Sequence, residues 1–133
     1  MSWTLVIGYS GTGKTLEIIS KVLEALKNKE APFIYRSPSQ VSPSEFIEAK
    51  SLILITPTYL DYMPGEFKSM FDRLYYEIYR KVDGKPTSII VTCGEKESGY
   101  ECLKSILHIA KMLKLKVIDT KVILEDDIPS FQG

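Results

Sequence analysis

The sequence is poor in the residues that build metal centres and hydrolytic relays. It holds two cysteines, Cys93 and Cys102, and a single histidine, His108. Neither cysteine has zinc-finger or C-x-x-C spacing, and one histidine cannot supply a metal site or a Ser-His-Asp relay. His108 stands beside Leu107 and Ile109 in a helical segment and reads as an ordinary packed or surface residue. An excess of charge of either sign is also missing. Seventeen Lys and Arg balance seventeen Asp and Glu, so nothing draws the chain as a whole to nucleic acid or to an anionic membrane. No apolar run approaches the ~20 residues of a membrane span, and the N-terminus lacks a charged flank followed by an apolar signal core. A cytoplasmic location is the expectation. Internal repeats, linkers and low-complexity tracts are absent too. The 133 residues, 44% hydrophobic and 26% charged, are expected to form one domain over 1–133 with a single core.

What is present begins with Gly8-Tyr9-Ser10-Gly11-Thr12-Gly13-Lys14-Thr15. These residues end an apolar run (Trp3, Leu5, Val6, Ile7) and lead directly into a helical pattern. A strand, a glycine-rich turn and a helix start make an anion site, because the glycines let the backbone close and the first free N–H groups of the helix point at the ligand. Two phosphates fit. As a nucleoside-triphosphate P-loop, Gly8, Gly13, Lys14 and Thr15 match G-x-x-x-x-G-K-[ST], with Lys14 on the β/γ-phosphates and Thr15 on magnesium. As a flavin-phosphate loop, hydroxyls and amides would hold a monoester without a metal.

Strand and helix signals alternate along the chain. Strands are expected near Thr4 to Gly8, Pro32 to Tyr35, Leu52 to Thr56, Ile89 to Thr92 and Lys116 to Leu124, the last broken at Asp119-Thr120. Helices are expected from Gly13 to Asn28, from Ser44, from about Pro64 with Phe67, Met70, Phe71, Leu74 and Ile78 on its apolar stripe, and from Gly99 to Leu113. The third and fourth strands are apolar at consecutive positions, as in a parallel sheet buried on both faces. The order predicts a three-layer, doubly wound α/β fold with a five-stranded parallel sheet, whose ligands bind beyond the carboxyl ends of the strands.

Those ends discriminate between the phosphates. Strand three closes Leu54-Ile55-Thr56-Pro57-Thr58 and strand four Val91-Thr92-Cys93-Gly94. Neither ends in the acid that anchors magnesium in P-loop enzymes. Instead, Pro57-Thr58-Tyr59-Leu60-Asp61-Tyr62-Met63-Pro64 leads into a helix ending Phe71-Asp72-Arg73-Leu74, and Cys93-Gly94 is followed by Tyr100. Together with Ser10 to Thr15, these three segments resemble the flavodoxins over roughly residues 3 to 124. The resemblance implies sheet order 2-1-3-4-5 and FMN as cofactor. It places Ser10, Thr12, Gly13 and Thr15 on the phosphate, with amides from Gly11 and Lys14. It places Pro57, Thr58, Tyr59 and Leu60 along the ring, and has the Leu60–Asp61 peptide turn its carbonyl toward the flavin. Cys93, Gly94 and Tyr100 complete the pocket, with Tyr59 and Tyr100 on opposite ring faces and Cys93 as a structural thiol.

An electron carrier working between redox partner proteins is the function the resemblance implies first. An NAD(P)H-dependent flavin or quinone reductase on the same fold stands second, a P-loop ATPase or kinase third, and a binding module without flavin fourth. Three features depart from the flavodoxin pattern. Lys14 replaces the usual Asn, the net charge is zero rather than acidic, and no fifth helix is legible after Glu125. The last leaves sheet surface to be covered by the tail, through Ile128 and Phe131, or by a homodimer partner.

Overall fold

The computed structural model describes residues 2–11 and 13–131. Strand β1 (Thr4–Gly8) leads through the glycine-rich turn into α1 (Lys14–Asn28), then β2 (Phe33–Arg36), a 3-10 turn over Pro38–Gln40, and α2 (Pro43–Glu48). Strand β3 (Ser51–Pro57), α3 (Gly65–Ile78), β4 (Pro86–Cys93), α4 (Lys96–Met112) and β5 (Lys116–Leu124) follow, and a 3-10 segment over Glu125–Ser130 closes the described chain. The five strands are all parallel, in the order β2-β1-β3-β4-β5. This is the doubly wound, flavodoxin-like arrangement expected. Strand order reverses at β1, so the carboxyl ends of β1 and β3 flank the crevice where such sheets bind ligands.

The central strands bury both faces. Leu5, Ile7, Leu52, Leu54, Ile89 and Val91 pack with Phe46 of α2, Phe67, Met70, Phe71 and Leu74 of α3, and Cys102 and Ile106 of α4. On the opposite face Val6, Ile55 and Ile90 meet Ile18, Ile19 and Val22 of α1. Ile128 completes this second layer with only 4% of its surface exposed. The Lys21 ammonium clasps the same segment by donating to the carbonyls of Ile128, Pro129 and Phe131 at 3.1, 3.1 and 3.0 Å. Of the two covers expected for this face, the structure shows the folded-back tail.

Local differences from expectation have identifiable causes. Helix α2 starts at Pro43 rather than Ser44, because Ser42 and Glu45 form a capping box with reciprocal bonds of 3.2 and 3.1 Å. Helix α4 starts a turn before Gly99. That glycine reads as a helix start but serves packing: a Cβ there would lie 2.6 Å from both Cys93 Sγ and Val122 Cγ1. Strand β5 is continuous. Its irregularity falls at Ile118, which is left between the Thr87–Val117 and Ser88–Asp119 pairs, rather than at Asp119-Thr120. This is a one-residue bulge on the sheet edge.

Candidate functional site

The glycine-rich turn meets α1 at Gly13, which sits at φ 92° and so needs the left-handed conformation open to glycine. Ser10 caps the helix by accepting a hydrogen bond from the Leu16 amide at 3.1 Å. The amides before Leu16 are left without intrahelical partners. Lys14, in the first turn, reaches across to the 3-10 segment that follows β5, where its Nζ lies 3.0 Å from Glu125 Oε2. That bond and the charge of Glu125 raise the Lys14 pKa. Thr15 faces inward instead. It is buried, and its hydroxyl is 2.9 Å from that of Thr92 on β4, which ties the loop to the sheet. Thr12 lies outside the described residues.

The turn after β3 is a tight two-residue reversal. Tyr59 and Tyr62 exchange backbone hydrogen bonds of 2.9 Å, and the two residues between them, Leu60 and Asp61, stand at φ 50° and 62°. Both are left-handed and neither is glycine, which stores local strain at the tip. The Leu60 side chain is fully exposed, so burial does not explain its place there. The Tyr59 ring packs edge-on against Tyr9, with centroids 6.3 Å apart, and its hydroxyl rests on Gly11. A Cβ on Gly11 would fall 2.0 Å from that oxygen. Tyr9 in turn donates to Glu66 Oε2 at 2.9 Å, which raises its pKa.

The third segment is joined to the second at its base. Pro57 pairs with Thr92 in register, and the Thr58 hydroxyl donates to the Thr92 carbonyl at 2.9 Å. Above this base two adjoining hollows open. Thr58, Leu60, Asp61, Gly94, Glu95 and Ser98 line one of about 290 Å³. Asp61, Glu95, Glu97, Ser98, Tyr100 and Glu101 line the other, of about 620 Å³. Tyr100 is half exposed on the first turns of α4. Cys93 and Cys102 lie beneath, both buried and unpaired. Burial raises the Cys93 pKa and pushes Cys102 up to about 11, so both remain neutral thiols rather than nucleophiles.

The structure thus gathers Ser10, Gly11, Gly13 and Lys14 on one side of the crevice and Thr58, Leu60, Asp61, Gly94 and Tyr100 on the other, with Tyr59 between them. Four further contacts were not singled out from sequence: Tyr9, Glu66, Thr92 and Glu125. Glu125 was findable in principle, because it follows the carboxyl end of a further strand of a sheet already read as parallel. Among the described residues no three His, Cys, Asp or Glu side chains come together as metal ligands. The donor set here is neutral hydroxyl, backbone amide and one ammonium, which suits a phosphate monoester bound without metal.

Comparison with known proteins agrees with this fold. The NADPH-dependent FMN reductase family model matches residues 43–128, more than half of the chain. No curated protein matches the sequence. Among solved structures, the chain is similar to flavodoxin 1 of Bacillus cereus (TM-score 0.80, 15% identity, covering 97% of this chain and 91% of that one). It is also similar to a flavodoxin from the domain Archaea (0.78, 20%, 96% and 89%). A third likeness is general stress protein 14 of Treponema denticola, solved in complex with FMN (0.72, 12%, 96% and 92%). At these identities the structural likeness speaks for the fold.

Proposed function

The chain belongs to the NADPH-dependent FMN reductase family, with FMN as its cofactor, and from that premise we propose that it works as an FMN-bound electron carrier between a reductase and an acceptor protein. Bound FMN supplies the redox chemistry. Ser10, Gly11, Thr12, Gly13 and Lys14 hold its phosphate by hydroxyls, amides and the ammonium, and Thr15 adds its amide while its hydroxyl ties the loop to Thr92. Pro57, Thr58, Tyr59, Leu60 and Asp61 take one side of the ring, and Cys93, Gly94 and Tyr100 the other. The Leu60–Asp61 peptide, already strained, is the backbone element positioned to reorient against the ring edge.

The observation that favours a carrier is the charge around the larger hollow. Asp61, Glu95, Glu97 and Glu101 surround it. Lys104 neutralises Glu101 at 2.8 Å, while Lys96 turns away to the Val122 carbonyl at 3.2 Å. Three carboxylates therefore remain without a matching cation among the hollow's lining residues. A rim of that sign repels the polyanionic NADPH and favours a cationic protein surface. A cytoplasmic setting accords with the neutral, thiol-bearing composition, and no helix among the described residues is long and apolar enough to cross a membrane.

Direct reduction by NADPH is the second reading, and the family match favours it. Anaerobic stopped-flow mixing of FMN-loaded protein with NADPH separates the two. A carrier is reduced slowly, at a rate insensitive to saturation, whereas rapid, saturable bleaching of the flavin band by NADPH alone would establish the reductase.

A further inference from the structure

Lys14 joins the glycine-rich loop to the 3-10 segment that follows β5. Its ammonium lies 3.0 Å from Glu125 Oε2, with Asp126 adding negative potential nearby. The backbone that carries this carboxylate is held in place independently of Lys14. Glu125 opens the 3-10 segment whose Ile128 is buried against α1 and whose backbone is clasped by Lys21. An anion is therefore fixed beside the helix start where the ligand's own anion has to arrive. The Lys14 side chain is 64% exposed, and an exposed pair of this kind is weak and exchangeable.

We propose that Glu125 is a built-in competitor of the flavin phosphate. The Lys14 ammonium leaves Glu125 for the phosphate when FMN binds, and Glu125 thereby limits how strongly the site prefers FMN to a flavin without phosphate. This rests on the flavin reading above. The exchange involves only the side chains of Lys14 and Glu125, because Ile128 and Lys21 keep the segment docked. Removing the carboxylate frees Lys14 and withdraws a like charge from the phosphate, so both effects act in the same direction.

The test is a set of FMN and riboflavin titrations, followed by flavin fluorescence, on the full chain and on Glu125→Gln, Lys14→Gln and the double variant. At low salt Glu125→Gln should bind FMN roughly two- to five-fold more tightly, the range that exposed charge pairs give. Its riboflavin affinity should be unchanged, and the FMN gain should shrink as salt is raised. The part of the gain that comes from freeing Lys14 should vanish in the Lys14→Gln background, leaving only the part that comes from withdrawing a like charge from the phosphate. FMN affinity that is unchanged or weaker in Glu125→Gln, or a change of equal size for riboflavin, would overturn the proposal while leaving the flavin reading intact. Absence of FMN binding by every form, the unmodified chain included, would overturn both.

Discussion

Replacing Gly99 with alanine sets helix propensity against packing, and the distances decide the sign. Gly99 lies inside α4, where exchanging Gly for Ala ordinarily stabilises by about 1 kcal/mol. Here the new methyl would stand 2.6 Å from Cys93 Sγ, 2.6 Å from Val122 Cγ1 and 3.0 Å from Cys93 Cβ. Ordinary contacts between such atoms begin near 3.5 Å, so α4 has to move off β4 and β5 by about 1 Å. Overpacking of this kind costs about 1–3 kcal/mol. With two contacts about 1 Å too short the upper part of that range applies, about 2–3 kcal/mol, so the net expectation is a loss of about 1–2 kcal/mol in urea unfolding, with FMN affinity also reduced because Tyr100 is the adjacent residue and rides on the same turn. Val122→Ala in the same background removes one of the two closest clashes. The double variant should therefore be more stable than the sum of the single changes predicts. A Gly99→Ala protein as stable as the unmodified chain, or strict additivity with Val122→Ala, would refute the reasoning.

Three other outcomes follow from particular side chains. Lys85 is buried and donates to the carbonyls of Ile47, at 2.6 Å, and Ala49, so Lys85→Met strands both acceptors at the end of α2 and should cost about 2 kcal/mol or more in urea unfolding; an unchanged midpoint would show that water replaces the ammonium. Burial pushes the Cys102 thiol up to about 11 from 9.0, so the folded chain holds that proton more tightly than the unfolded one. Its contribution is intact below pH 9 and lost as pH rises from about 9 to about 11, amounting to about 3 kcal/mol. Unfolding free energies across that window should fall less steeply for Cys102→Ala, and parallel curves would contradict the assignment. Tyr59→Ala should weaken FMN by about ten-fold through loss of ring stacking, which titration measures directly; an unchanged affinity would remove Tyr59 from the ring site.

The layers of this fold were readable because buried parallel strands carry uninterrupted apolar runs, as Leu52 to Ile55 and Ile89 to Val91 do. The glycine-rich turn into α1 was readable because a helix entered through Gly13 in a left-handed conformation has few sequence solutions. What escaped was set by contacts distant in sequence. Gly99 looks like a helix start until Cys93 and Val122 are seen against it. The bulge at Ile118 depends on register with β4, which a lone edge strand does not encode. Thr15 reads as a phosphate ligand by its position in the loop, yet its hydroxyl is engaged with Thr92, a residue 77 positions away. The pairing of Lys14 with Glu125 spans 111 positions and leaves no local signature. The tail's role as cover for the second face was legible only as a need, since Ile128 reaches α1 through the geometry of the 3-10 segment.

Titration of the purified chain with FMN, and in parallel with ATP and magnesium, tests the central claim most directly. The account predicts saturable FMN binding with quenched flavin fluorescence and shifted flavin absorbance bands, and weak ATP binding without hydrolysis. Magnesium-dependent ATP turnover by a chain that leaves FMN free in solution would contradict it.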